Sequence, residues 1–200
     1  MNGFQLNKNK TKVLFIDKRF HTTPKLAQLD SSDSLKILGI TLQKDLKWDA
    51  HVDIVCKTAA KRIYILKEMK RLPTVTKKEL VQIYNAHIQS ILEYNSPLFV
   101  GMTKKNSSKL ERVRKRCHRV ICDFDCKCSI LSSLAQRRED YALKSLVKIM
   151  NPENLIHSIT PSILPRSHHM QVPFCNTNRR ANSFIPYSTR LYNQSLSHNP

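Results

Sequence analysis

Two hundred residues at 40% hydrophobic content suffice for one ordinary domain, or a domain with an appendage, that buries a core. The outlying quantity is charge: 34 lysines and arginines against 15 aspartates and glutamates give +19, a surface that repels itself until a polyanion neutralises it, so nucleic acid is the leading partner. Six cysteines without an apolar N-terminal segment do not read as a secreted disulfide framework; reduced thiols in the cytoplasm or nucleus are expected, and no run reaches the roughly 18 apolar residues of a membrane span.

The first forty-odd residues read as strand. Residues 12–16 form a short apolar run and residues 35–42, "LKILGITL", form a second, with Pro24 and an Asp/Ser cluster between them, so a hairpin with a long connection is expected. Two strands alone are marginal in water, which makes this pair look like the edge of a larger sheet. From Trp48 the period becomes helical: Val52, Val55, Ala59, Ile63 and Leu66 share one face and Lys57 and Lys61 point away, until Pro73 ends the run. Thr76 and Glu79 have the spacing of a capping box, opening a second helix that carries Leu80, Ile83, Tyr84, His87, Ile88 and Ile91 to about Tyr94. Pro97 and Gly101 mark the next loop. Ser108 and Glu111 repeat the cap spacing ahead of a third helix to about Ile121, and Ser133 and Gln136 open a fourth that ends before Pro152. The predicted fold is mostly α: a β-hairpin within residues 1–44, an antiparallel bundle of about four helices over residues 45–150, and a Pro-rich, loosely ordered tail over residues 151–200. Phe174, Phe184, Ile185 and Tyr187 are the candidate anchors of that tail, with a short turn expected between Tyr187 and Tyr192.

The basic residues cluster. Within residues 57–71, Lys57, Lys61, Arg62, Lys67, Lys70 and Arg71 face only Glu68; within residues 103–119, Lys104, Lys105, Lys109, Arg112, Arg114, Lys115, Arg116 and Arg119 face only Glu111. Helix faces this positive, beside an apolar stripe, suit a phosphate backbone better than base edges. Lys57, Lys61, Arg62, Lys109, Arg112 and Arg116 are therefore the candidate nucleic-acid-binding residues, and their binding is expected to be sequence-tolerant. The plain alternative is a solvated face that only keeps the chain dispersed.

Cys117, Cys122, Cys126 and Cys128, beside His118, meet the ligand count of a zinc site but not its spacing, in which pairs of cysteines two to four residues apart are held apart by a longer loop, whereas these form one crowded run; buried or bystander thiols are the reading, and no metal site is assigned. His87 reads as a core histidine. Asp123 and Asp125 are a close acidic pair, yet nothing sets them on the tight strand turn that aims two carboxylates at paired metal ions, and they read as solvent-facing. Three glycines leave no room for a phosphate-cradling loop or a dinucleotide fingerprint, and no G-x-S-x-G is present.

The segments "LNKNKTKVLFI" and "LKILGITLQKDLKWDAHV" resemble the region after the catalytic hairpin in reverse transcriptases of non-LTR retrotransposons, most like the jockey group. "KRIYILKEMKR", "LVQIYNAHIQSILEYNSPLFVGMTKKNSSKLERVRKRCHRVI" and "LAQRREDYALKSLVKI" resemble the helices that follow, and "RRANSFIPYSTRLYNQSL" the closing segment, with Tyr192 where Trp is commoner. The resemblance implies a right-hand polymerase, of which residues 1–44 would be the palm edge and the later helices the thumb and its extension. Lys10 would match the lysine of the family's motif D, Leu38, Gly39 and Ile40 would sit in the primer-grip hairpin, and the thumb would hold RNA and RNA–DNA duplex by their backbones. The family's two metal-binding aspartates, and the fingers, would lie upstream of Met1, so the magnesium of the intact polymerase has no ligands here. The resemblance thus implies a fragment that binds no cofactor itself, does not polymerise alone, and has the missing palm and fingers as its partner. A stand-alone basic helical module that grips RNA or RNA–DNA duplex is the competing reading.

Overall fold

The computed structural model describes residues 11–16, 30–123 and 132–197. It divides into two compact units, Met1–Ile54 and Val55–Pro200. Lys10 lies outside the described residues, as do Asp125, Cys126 and Cys128.

In the first unit, β1 (Lys12–Val13) pairs in parallel with β2 (Asp30–Ser31). The run "LKILGITL" is not one strand but two: β3 (Ser34–Ile37) turns at Leu38 and Gly39 into β4 (Ile40–Gln43), antiparallel, with Ile37 opposite Ile40 and Leu35 opposite Leu42. Leu38 and Gly39 have φ of 47° and 83°, the paired positive values of the two-residue turn whose twist matches that of its strands. Gly39 takes this conformation without a Cβ penalty, whereas Leu38 adopts it under strain and projects into solvent, 83% exposed. The expected pairing of residues 12–16 with residues 35–42 is thus replaced by two separate two-stranded ladders.

The base of the hairpin is tied to the start of α1 (Asp49–Arg71): the Ala50 N–H donates to Gln43 Oε1 at 3.1 Å, and the Thr41 N–H to His51 Nδ1 at 3.4 Å. These bonds serve amides that a helix start and a sheet edge would otherwise leave open. His51 is buried against the edge of Trp48, with ring centroids 6.1 Å apart, and its burial lowers the imidazole pKa because the charged form is poorly solvated there.

The second unit is helical. Along α1, Ala59, Ile63 and Leu66 are buried as the sequence predicts. Thr76 caps α2 (Lys77–Tyr84) through the expected box: Thr76 Oγ1 accepts the Glu79 N–H at 3.3 Å, and the Glu79 carboxylate accepts the Thr76 N–H at 2.7 Å. That backbone bond, with the Thr76 hydroxyl, lowers the Glu79 pKa. The helix then widens into a π turn at Asn85–Gln89 before α3 (Ser90–Leu92). The extra residue shifts the phase, so Tyr84, Ile88 and Leu92 are the buried positions. His87 is exposed rather than in the core, because the wider turn carries it past the apolar face.

The next long helix, α4 (Lys104–Cys122), starts earlier than predicted: Thr103 Oγ1 accepts the Asn106 N–H at 3.3 Å, and Ser108 lies inside the helix. Glu111, freed from capping its own helix, accepts the Leu134 N–H at 3.3 Å at the head of α5 (Leu134–Met150), which Ser133 caps as expected. Helix α5 packs on α4 on one side and, on another, on α7 (Phe184–Ser197). This last helix corrects the expected loose tail. Pro186 reads as a breaker, but it sits in the first turn, where the missing N–H would have had no intrahelical acceptor. Tyr187 donates its hydroxyl to Glu139 Oε1 at 2.9 Å, and Asn193 brackets the Met170 backbone, accepting its N–H at 2.8 Å and donating to its carbonyl at 2.9 Å. Phe174, a proposed anchor, is instead 84% exposed. Between α6 (Asn178–Ala181) and α7, the Asn182 backbone lies so close to Gly101 that a Cβ there would sit 2.0 Å from its carbonyl oxygen.

Candidate nucleic-acid interface

Lys105, Lys109, Arg112, Arg116 and Arg119 of α4 follow one another at alternating steps of four and three residues, the spacing that keeps side chains on one flank of a helix. At 1.5 Å per residue the stripe runs about 21 Å. The one acid of α4, Glu111, is on the other side, where it pairs with Arg114 Nη2 at 2.5 Å and caps α5. Among the described residues, no carboxylate pairs with Arg112 or Arg116. The helix also begins with Lys104 and Lys105 and has no acid in its first turn. Cations at that end are repelled by the helix dipole, a cost that a bound anion relieves.

Within the second unit, α4 and α1 border a groove of about 280 Å³. Lys109, Arg112, Val113 and Arg116 line it from α4, and Cys56, Ala60 and Ile63 from α1. Its floor is mostly apolar, its α4 rim is cationic, and among the described residues no carboxylate lines it. Three of the six candidate residues, Lys109, Arg112 and Arg116, are thereby brought together. Lys57 and Lys61 are exposed on the outer side of α1, following Cys56 and Ala60 in the chain. Arg62 does not join them. Two residues beyond Ala60, it lies about 200° round the helix, and its Nη1 donates to the His87 carbonyl at 3.3 Å, bracing the π turn. Leu38 and Gly39 form the hairpin tip described above, and Ile40, buried, opens β4.

The groove lining is what residue patterning missed. Cys56 and Ala60 fall outside the core stripe of α1, and small apolar residues one turn apart there were the available signal.

Among the described residues no three of His, Cys, Asp and Glu converge. Cys117 is buried in α4, its thiol pushed up to about 12 by that burial, and the Asp123 carboxylate is held by Lys70 Nζ, whose hydrogen bond lowers its pKa. A carboxylate already paired with an ammonium does not suit the magnesium that the resemblance assigns to an intact polymerase. Among the described residues, no helix is long and apolar enough to cross a membrane.

No family model, curated protein or solved structure matches the chain.

Proposed function

We propose that this chain grips nucleic acid by its phosphate backbone, without reading sequence. The observation that supports this most is the α4 stripe: five cations on one flank, with the helix's single acid turned to the other. A chain of +19 has the overall field to draw a polyanion to such a face. Backbone contacts release counterions, so binding falls linearly in log K against log salt, with a slope of about −0.9 per phosphate neutralised on duplex.

The resemblance to non-LTR reverse transcriptases makes the reading more specific: a thumb that holds RNA and RNA–DNA duplex for a polymerase whose metal-holding aspartates lie elsewhere. On that reading the chain alone does not extend a primed RNA template in magnesium. Titrating an RNA–DNA duplex against the protein over a range of salt tests the grip. A steep slope, shared by duplexes of unrelated sequence, is expected; a slope near zero, or affinity confined to one sequence, would contradict it.

A further inference from the structure

The α1–α4 groove has a feature that a backbone grip does not use: the apolar floor of Cys56, Ala60, Ile63 and Val113 beneath the cationic rim. A duplex presents phosphate and sugar outwards and keeps its base faces stacked inside, so it leaves that floor in water. A strand with unpaired bases presents both chemistries at once, charged phosphates and apolar base faces. An aromatic side chain follows the groove residues along α1, beside the lining rather than part of it. Tyr64 is one helical turn beyond Ala60 on the same flank of α1 and is 65% exposed, an expense of apolar area that core packing does not explain.

We infer that the groove is a single-strand site, in which the apolar floor and Tyr64 receive an unpaired base while Lys109, Arg112 and Arg116 hold the adjoining phosphates. The inference rests on the backbone-binding reading and deepens it. Charge complementarity selects the occupant: among the described residues the rim has no carboxylate and the floor is mostly apolar, so the ligand is anionic along its chain and flat and apolar at its side groups. Base stacking on an aromatic is sequence-tolerant, because every base has a π face. Lys109 is half-buried and lines the groove beside Arg112 and Arg116.

The test compares three probes by fluorescence anisotropy with the full chain: an oligothymidylate, an abasic strand with the same number of phosphates, and a blunt duplex. The oligothymidylate is expected to bind about tenfold more tightly than the abasic strand at the same salt, the scale of one base–aromatic stack. Tyr64→Ala, at an exposed position, should erase that preference and leave abasic binding unchanged, and Ala60→Leu, which fills the groove, should erase it as well. Equal, steeply salt-dependent binding of all three probes would overturn the single-strand site and leave the backbone grip standing. No binding of any probe at low ionic strength would overturn both. Displacement of the oligothymidylate by an oligoglutamate of equal charge would show that the groove serves acidic peptide and would also overturn the inference.

Discussion

The two flanks of α4 treat charge in opposite ways. Toward α5, charges meet partners: Glu111 takes Arg114 and the Leu134 amide, Arg137 holds Glu93 and lies 5.6 Å from the ring centroid of Tyr141, and Glu139 accepts from Tyr187. Toward the groove, Arg112 and Arg116 have no acidic partner among the described residues. With so few acids in the chain, their placement decides which cations serve the fold and which are left for a ligand. One flank serves the fold, and the other is the one we propose for binding.

If that division holds, changes on the fold side should move stability and leave the salt dependence of binding alone. The largest such effect is expected from Gly101→Ala. Its methyl group would collide with the Asn182 backbone, and backbone yields less readily than a side chain end. A loss of about 3 kcal/mol is expected from overpacking of this kind. In a chain of this size that lowers Tm by roughly 10 °C in a thermal scan, and an unchanged Tm would mean the C-terminal helices do not dock there. Glu93→Gln weakens the pairing with Arg137, whose hydrogen bond to Glu93 raises the arginine's pKa; because the arginine is partly exposed, the expected loss is about 1 kcal/mol by denaturant titration. Thr76→Ala removes the cap of α2 at a similar cost, about 1 kcal/mol, with helix content otherwise kept by circular dichroism.

The smallest effect sharpens the comparison from the first unit. His51 is neutral in the fold, since its Nδ1 accepts a hydrogen bond, and burial depresses its pKa below the unfolded value near 6.5. The unfolded chain therefore takes up the proton first. The stability this group contributes is complete above about pH 6.5 and is lost as pH falls from there through the lower folded value. His51→Gln should remove that part of the acid sensitivity in a pH series of unfolding curves, and an unaltered profile would show that His51 does not titrate with the fold.

Much of the helical body was legible because local chemistry and burial agree there. The stripe of α1, the box at Thr76 and the end of α5 before Pro152 each follow from residues within a turn of one another. The failures have nonlocal or strained causes. Leu38 at positive φ is not a turn residue by propensity, so the bend in "LKILGITL" is invisible to strand patterning. The π turn that expels His87 adds a residue without any breaker in the sequence. Ser108 and Thr103 are equally good caps by type, and Glu111 chose α5 instead. For the site, clustering of basic residues was readable, but the departure of Arg62 to the other flank and the groove beside α4 required knowing which helices face each other.

The central claim is that the groove-side cations of α4 contact phosphate. The direct measurement is the slope of log K against log salt for RNA–DNA duplex, with wild type beside Lys109→Ala/Arg112→Ala/Arg116→Ala and an equal-charge control, Lys78→Ala/Lys144→Ala/Lys148→Ala. The stripe variant should flatten the slope by about 2 to 3 units and the control by well under one. Equal flattening by both variants would mean that net charge alone, and not this flank of α4, holds the nucleic acid.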